Sequence, residues 1–357
     1  MSIDAQGSDL DARAVSRLPT LSREERARML TLPESHTTHA SLLARLPFSG
    51  LVETAPPPTP VASAGAALRV VAWNAERGRH AKAGATLLRD SLASVFLLSE
   101  LDLGMARSGQ RHTTRDLASA LGCGYAFAVE FLELGLGDER EQAAAADGEN
   151  AVGYHGGALL SRHGLARPAV VRLEDRGDWF AAERGQRRVG GRIAVLGTLR
   201  CGGADITVAA VHLESHGDPE GRAQELARLL DAIDAYAPGA PALIGGDLNT
   251  HTLSAAHRAD RELLRRDLAR DPDRLRRPRA WEPLFEQAEA RGYDWSSCND
   301  PEAATQRTAS GRGTLKIDWF LQRGLRARDP TVISAVDPQS GTPLSDHEAI
   351  AVTVEPP

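Results

Sequence analysis

The stretch Ala242–Leu253, ALIGGDLNTHTL, opens as an apolar run, breaks on two glycines and delivers Asp247 and Asn249 with one residue between them. In an extended segment those two side chains share a face. A turn would use the same residue types, because Gly, Asp and Asn favour loops. So would a reaction that needs a carboxylate base beside a neutral donor. The pattern recurs along the chain. Asn74, with Glu76 shortly after, ends the run VVAWNAER; Glu100 ends VFLLSE; His212, then Glu214 and Ser215, ends VAAVHLES. Asp318 lies inside LKIDWFL, and Asp346 and His347 directly precede EAIAVTVE. One polar residue at a strand end is usually a cap. Six apolar runs carrying carboxylate, amide or imidazole at or near their ends are harder to assign to chance. Burying these groups separately costs several kcal/mol each unless they are paired. The economical arrangement gathers them in one cleft around a cation.

The elements that would position them begin at Leu68. LRVVAW, SVFLLSE, YAFAVEF, GGALLSR, PAVVRLE, GRIAVLGTLR, DITVAAVHLES, ALIGGD, LKIDWFL and EAIAVTVE read as strands. Two of them adjoin through RCGGAD and predict a hairpin. Helices fall between others, most clearly over Pro219–Tyr236, where Leu226, Leu229, Leu230 and Ile233 recur at helical spacing. Hairpins mixed with helical crossovers exclude a purely parallel sheet. The expected fold is a four-layer α/β sandwich over residues 67–357: two mixed β-sheets packed face to face with helices outside. Residues 1–66 read as an N-terminal extension. It holds a short helix over LSREERARMLTL with Ser22 as N-cap, then the Pro/Ala-rich linker TAPPPTPVASAGAA. On that reading a chain starting near Ala62 folds and keeps its chemistry.

Composition narrows the class. The 357 residues are 42% hydrophobic and carry a formal net charge of −6. A chain that coats nucleic acid through phosphate neutralisation alone is usually basic, so that class is disfavoured. The three cysteines, Cys123, Cys201 and Cys298, are far apart and form neither a disulfide framework nor a zinc pattern. The N-terminus has acids where a signal peptide needs bases. No apolar run approaches the ~20 residues of a membrane helix. The expectation is a cytoplasmic protein without a membrane span, and a monomer. Lys82 and Lys316 are the only lysines; the other basic residues are arginine.

The pieces WNAERG, LLSE, GGALLSR, HLES, GGDLNT, KIDWF and LSDHE, in this order, resemble the endonuclease/exonuclease/phosphatase (DNase I-like) superfamily across residues 68–357. HLES, with Arg222 and Gln224 on the following helix, is most similar to the type 2 tyrosyl-DNA phosphodiesterases. The resemblance implies a Mg²⁺-dependent phosphoester hydrolase, with Mn²⁺ as a substitute. A phosphodiesterase or nuclease comes first, acting on nucleic acid or a nucleotide-linked adduct. Phosphomonoester, lipid or inositol phosphate hydrolysis is the alternative, and a non-catalytic phosphate-binding member is a third reading. By the same resemblance Glu100 is the principal metal ligand, with Asn74 close by and Asp346 on the same side. Asp247 orients or deprotonates the attacking water, and Asn249 holds a phosphate oxygen or the nucleophile. His212 and His347 donate hydrogen bonds to charge growing on the phosphate, and Asp318 or Asp346 fixes one histidine's tautomer.

Other residues leave alternatives open. Glu76 holds a metal-bound water or caps its loop. Ser215 binds phosphate or makes a local turn. Lys316 shares the Asp318 face if the strand is regular, as a substrate contact or a solvated edge. Arg162 is a strand-end charge or a substrate contact. His251 lines the cleft or begins the next helix. ERGQRRVGGR, with Arg184, Arg187, Arg188 and Arg192, grips an anion or is solvated. Residues 258–279 carry nine arginines against five acids and read as a solvated helical insertion or a cleft wall.

Overall fold

Period-two alternation sorts the strand side chains between two cores. In the strand Leu68–Arg77, Val70 and Ala72 face one apolar cluster, while Val71, Trp73 and Ala75 face another. In Ala242–Asp247, Leu243 joins the first cluster and Ile244 a third. The structure, a computed structural model, describes residues 10–11, 13–59, 65–145, 147–181, 186–275, 277–308, 311–313 and 315–356. The first cluster lies between two sheets. Helices Ala81–Asp90 and Thr113–Leu121 cover the outer face of one sheet with Leu88 and Leu117; Pro219–Tyr236 and Leu284–Ala290 cover the other with Leu226, Leu229 and Phe285. This is the expected four-layer α/β sandwich.

The larger sheet runs Arg326–Ile333, Ala349–Glu355, Leu68–Arg77, Val95–Leu103, Tyr154–Ser161, Gly124–Glu133, Leu51–Ala55, Arg13–Val15. The smaller runs Leu10–Asp11, Ala166–Arg172, Ile193–Cys201, Ala204–His212, Ala242–Asp247, Asp318–Arg323. Both mix parallel and antiparallel pairs. The hairpin predicted through RCGGAD joins Ile193–Cys201 to Ala204–His212. Helix Arg261–Arg270 of the Arg-rich insertion buries no residue, which matches its solvated reading. Among the described residues no helix is long and apolar enough to cross a membrane.

The segment read as an N-terminal extension is instead built into both sheets. Leu51–Ala55 pairs antiparallel with Gly124–Glu133, Arg13–Val15 pairs with Leu51–Ala55, and Leu10–Asp11 pairs with Ala166–Arg172. The helix Arg23–Leu30 is present, with Ser22 and Glu25 forming a capping box. Thr54 and Ala55, read as the start of the linker, lie in a strand, while residues 60–64 fall outside the described residues.

A buried carboxylate anchors this segment. Glu53 accepts from the Leu18 amide (2.9 Å) and the Tyr125 hydroxyl (2.8 Å), and lies 2.8 Å from His112 Nε2. Burial opposes its charge, but these three partners hold its pKa below the usual glutamate value. Because the folded value is lowered, its stabilisation is present above the unfolded pKa and fades as pH falls through the folded one. Glu53→Ala is expected to cost about 1–3 kcal/mol at pH 7, with a gap from wild type that narrows in acid. Urea melts at both pH values check this; a constant gap would show that the charge contributes nothing.

Candidate active site

Strand register puts three of the expected residues in one row. His212 is the cross-strand partner of Asp247, and Asp247 of Asp318, across three neighbouring strands of the smaller sheet. Directly opposed side chains share a face. Two glycines precede Asp247, but they do not form the tight turn the sequence suggested. The strand continues straight through them. A Cβ on Gly246 would lie 2.0 Å from the Val211 carbonyl, and one on Gly245 2.6 Å from the Phe320 ring. The glycines let the Asp247 strand pack closely on its neighbours.

The centre of the site is one oxygen. Asp247 Oδ2 lies 3.6 Å from His212 Nε2 and 3.6 Å from His347 Nε2, and accepts from Asn74 Nδ2 at 3.1 Å. Each histidine is backed by a second carboxylate through Nδ1: His347 by Asp318 (2.9 Å), and His212 by Glu130 (3.3 Å). A carboxylate at Nδ1 places a proton there and turns Nε2 towards the shared oxygen. Burial works against charge on His347, yet Asp318 and Asp247 outweigh it and hold the imidazolium well above the usual histidine range. Asp318, not Asp346, is the tautomer-fixing partner.

Asn74 also donates to Glu100 Oε1 at 3.2 Å on the neighbouring strand, so its amide links Glu100 of the larger sheet to Asp247 of the smaller one. Register shifts at Asn74/Arg77 and Leu98/Leu101 disrupt the ladder beside Glu100. Glu76, Arg77, Glu100 and Asn249 all have left-handed backbone, with φ of 42°, 72°, 55° and 50°. Non-glycine residues adopt this only where the surroundings enforce it, and such strain concentrates at functional sites. Glu100 Oε2 accepts from Arg77, whose Nε donates to Glu141 at 2.8 Å. The Asp346 side chain is exposed at the rim, and its amide donates to Glu76 Oε2 at 3.1 Å. Burial, then the nearby Asp346 carboxylate, push the Glu76 pKa up, although Arg79 pairs with it.

Several expected contacts take other partners. Asn249 spends its side-chain amide on the Leu213 carbonyl (2.9 Å), and its own N–H donates to Asp247 Oδ1 (2.9 Å). It locks the Asp247 loop to the His212 strand. Ser215 Oγ accepts from Arg192 at 3.3 Å. His251 Nε2 lies 2.8 Å from the Ser215 carbonyl, and no helix starts at His251. Lys316 is not on a solvated edge. It is fully buried, with its ammonium 4.5 Å from the centroid of Trp319, and burial pushes its pKa down to about 8. The strand begins at Asp318, so alternation does not reach back to Lys316.

Of the arginine loop, Arg184 lies outside the described residues, Arg187 donates to the Leu30 and Leu32 carbonyls, and Arg188 is buried. Arg192 is also buried; it pairs with Glu130 and Glu214 and lies 3.0 Å from His212 Nδ1. These three arginines are engaged within the fold. Glu130 and Arg77 are the participants that sequence reading missed. Burial alone would raise the Glu130 pKa, yet His212 and Arg192 pull it down to about 2. Its signal was available: a carboxylate inside the otherwise apolar run YAFAVEF.

Comparison with known proteins agrees with this geometry. The family model described as "Endonuclease/Exonuclease/phosphatase family" matches residues 71–347. No curated protein matches the chain. Among solved structures, an endonuclease/exonuclease/phosphatase from Beutenbergia cavernae is 20% identical, with a TM-score of 0.54 over 81% of this chain and 71% of that one. The human nocturnin catalytic domain with bound sulfate is 15% identical, with a TM-score of 0.50 over 85% of this chain and 96% of that one. A humanised D. rerio TDP2 is also 15% identical, with a TM-score of 0.48 over 81% and 99%. At such identities a likeness shows the fold; the family match over most of the chain shows more. This protein belongs to the endonuclease/exonuclease/phosphatase family.

Proposed function

We propose that the protein hydrolyses phosphodiesters by in-line attack of water, with a divalent cation, Mg²⁺ or Mn²⁺, as cofactor. The observation that carries this reading is Asp247 Oδ2 set between the Nε2 atoms of two carboxylate-backed histidines. Asp247 is the acceptor that orients a water and takes its proton. In this reading water is the nucleophile, Asp247 takes its proton, and the phosphate passes directly to water without a covalent intermediate on the enzyme. His347, held as imidazolium by Asp318, and His212 donate through Nε2 to non-bridging phosphate oxygens as charge develops there. Asn74 fixes the Asp247 carboxylate from the neighbouring sheet.

The rim fits a hard divalent cation. Glu100, Asp346 and Glu76 offer carboxylate oxygens, and Asn74 an amide oxygen, the donor types Mg²⁺ takes. Glu76 titrates high partly because Asp346 crowds it with like charge, which a cation would relieve. A cation held by Glu100, Asn74 and Asp346 would supply Lewis-acid stabilisation of the phosphate. Turnover of bis(p-nitrophenyl) phosphate, p-nitrophenyl phosphate and a single-stranded oligonucleotide, with Mg²⁺ and with EDTA, tests the proposal. The diesters should be preferred and EDTA should abolish turnover. Monoester preference, or full activity in EDTA after metal-free purification, would refute it.

A further inference from the structure

Beside the rim lies a cleft that this chemistry leaves unused. It encloses about 620 Å³ and is lined by Arg79, His80, Lys82 and Arg111 on one side and by Asp337 and Gln339 on the other. Three permanent cations line it beside one acid, in a chain whose overall charge is −6; two of them also have carboxylate partners, Glu76 for Arg79 and Asp116, at 3.4 Å, for Arg111. The acid is engaged locally: Asp337 accepts from Ser340 Oγ (2.7 Å) and from the Gln339 amide (3.1 Å). Lys82 is exposed, and it is one of only two lysines in the chain. Arg111 is held towards the cleft by the Arg79 carbonyl (2.8 Å) and the Ser108 carbonyl (3.0 Å). Burial first, then Arg79 and Arg111, hold the His80 pKa below the usual histidine value, while Asp337 opposes them.

The cleft is continuous with the catalytic rim. Arg79 pairs with Glu76, whose other oxygen takes the Asp346 amide. We propose that this cleft is a second anion subsite, which binds a backbone phosphate of a nucleic-acid strand next to the one being cleaved. The inference rests on the phosphodiesterase reading and narrows its substrate to polynucleotides. A substrate with one phosphate has nothing to place among these cations. A strand carries phosphates at short, regular intervals on both sides of the scissile one.

The test uses the full chain in EDTA, without turnover, and a fluorescein-labelled single-stranded oligonucleotide read by fluorescence anisotropy. Lys82→Glu combined with Arg111→Glu should raise Kd at least ~10-fold. It should also flatten the salt dependence, by roughly 0.7 in log–log slope for each phosphate that the variant no longer neutralises. With Mg²⁺ added, kcat/KM for bis(p-nitrophenyl) phosphate should be unchanged, because neither residue touches the reacting groups. Unchanged oligonucleotide affinity would overturn the proposal. So would an affinity loss seen only for phosphoinositide vesicles. Arg111 also braces its loop, so Lys82→Glu alone, at an exposed position, decides the matter if the double variant melts early. Wild type that binds the oligonucleotide through these residues yet cleaves no diester would sink the catalytic reading and leave the cleft standing.

Discussion

His347→Ala and Asp247→Asn are each expected to lower kcat by at least ~10²-fold in a protein that remains folded. Asp247 Oδ2 is the single oxygen on which both imidazoles and Asn74 converge, and His347 Nε2 lies 3.6 Å from it. The pH profile separates His347's role from mere packing. Its pKa is raised by Asp318 and Asp247, so the cationic form persists through neutral pH and is lost only in alkali. Activity should therefore fall on the alkaline side. Asp318→Asn removes the largest of the three raising charges, those of Asp318, Asp247 and Asp346, so that alkaline limb should move to lower pH. The same shift has a stability consequence: a raised histidine contributes stability below its unfolded pKa, and loses it as pH rises through the folded value. Thermal melts beside the kinetics separate unfolding from lost chemistry. A folded His347→Ala with near wild-type kcat would remove His347 from the mechanism. An unmoved alkaline limb in Asp318→Asn would remove the Asp318 pairing from it.

Why these residues were legible, and others not, follows from what a sequence encodes. His212 and Asp247 end apolar runs and Asp318 interrupts one, and a polar group in such a run stands out because burying it needs a partner. That signal is local. The row they form depends on register between strands, which the spacing of one strand does not contain. Glu130 has no such position. It lies in the middle of a ten-residue strand in which every residue is buried, and is tolerated there because Arg192 and His212, distant in sequence, neutralise it. Arg77 carries no signal in the sequence, because its partner Glu141 is on a helix far along the chain. Lys316 shows the limit of alternation, since the strand begins two residues after it, at Asp318. The six-run pattern thus located the groups that converge on Asp247 and left out the charges that hold them.

A chain beginning at Ala62 is expected to lose its cooperative fold, contrary to what its Pro-rich boundary suggests. The deletion removes Leu18, Leu46, Phe48, Leu51 and Val52, none more than 6% exposed. Each such side chain is worth roughly 1.5–3 kcal/mol of burial. Several together match the whole stability of an ordinary domain, about 5–15 kcal/mol. The deletion also strips Glu53 from His112 and Tyr125, leaving their polar atoms buried without it. It uncovers the edge of the strand Gly124–Glu133, which pairs with Leu51–Ala55 in the intact chain. An uncovered edge invites pairing with another copy. That strand carries Glu130, so the damage reaches His212 through the residue that backs it. The expected result is a broad or absent thermal transition with aggregation, and no measurable turnover. Circular dichroism melts and light scattering on residues 62–357 beside the full chain check it. A truncated protein melting within about 5 °C of the full chain, a shift worth only ~1–2 kcal/mol at this size, would show that the N-terminal strands add little and that the catalytic unit stands without them.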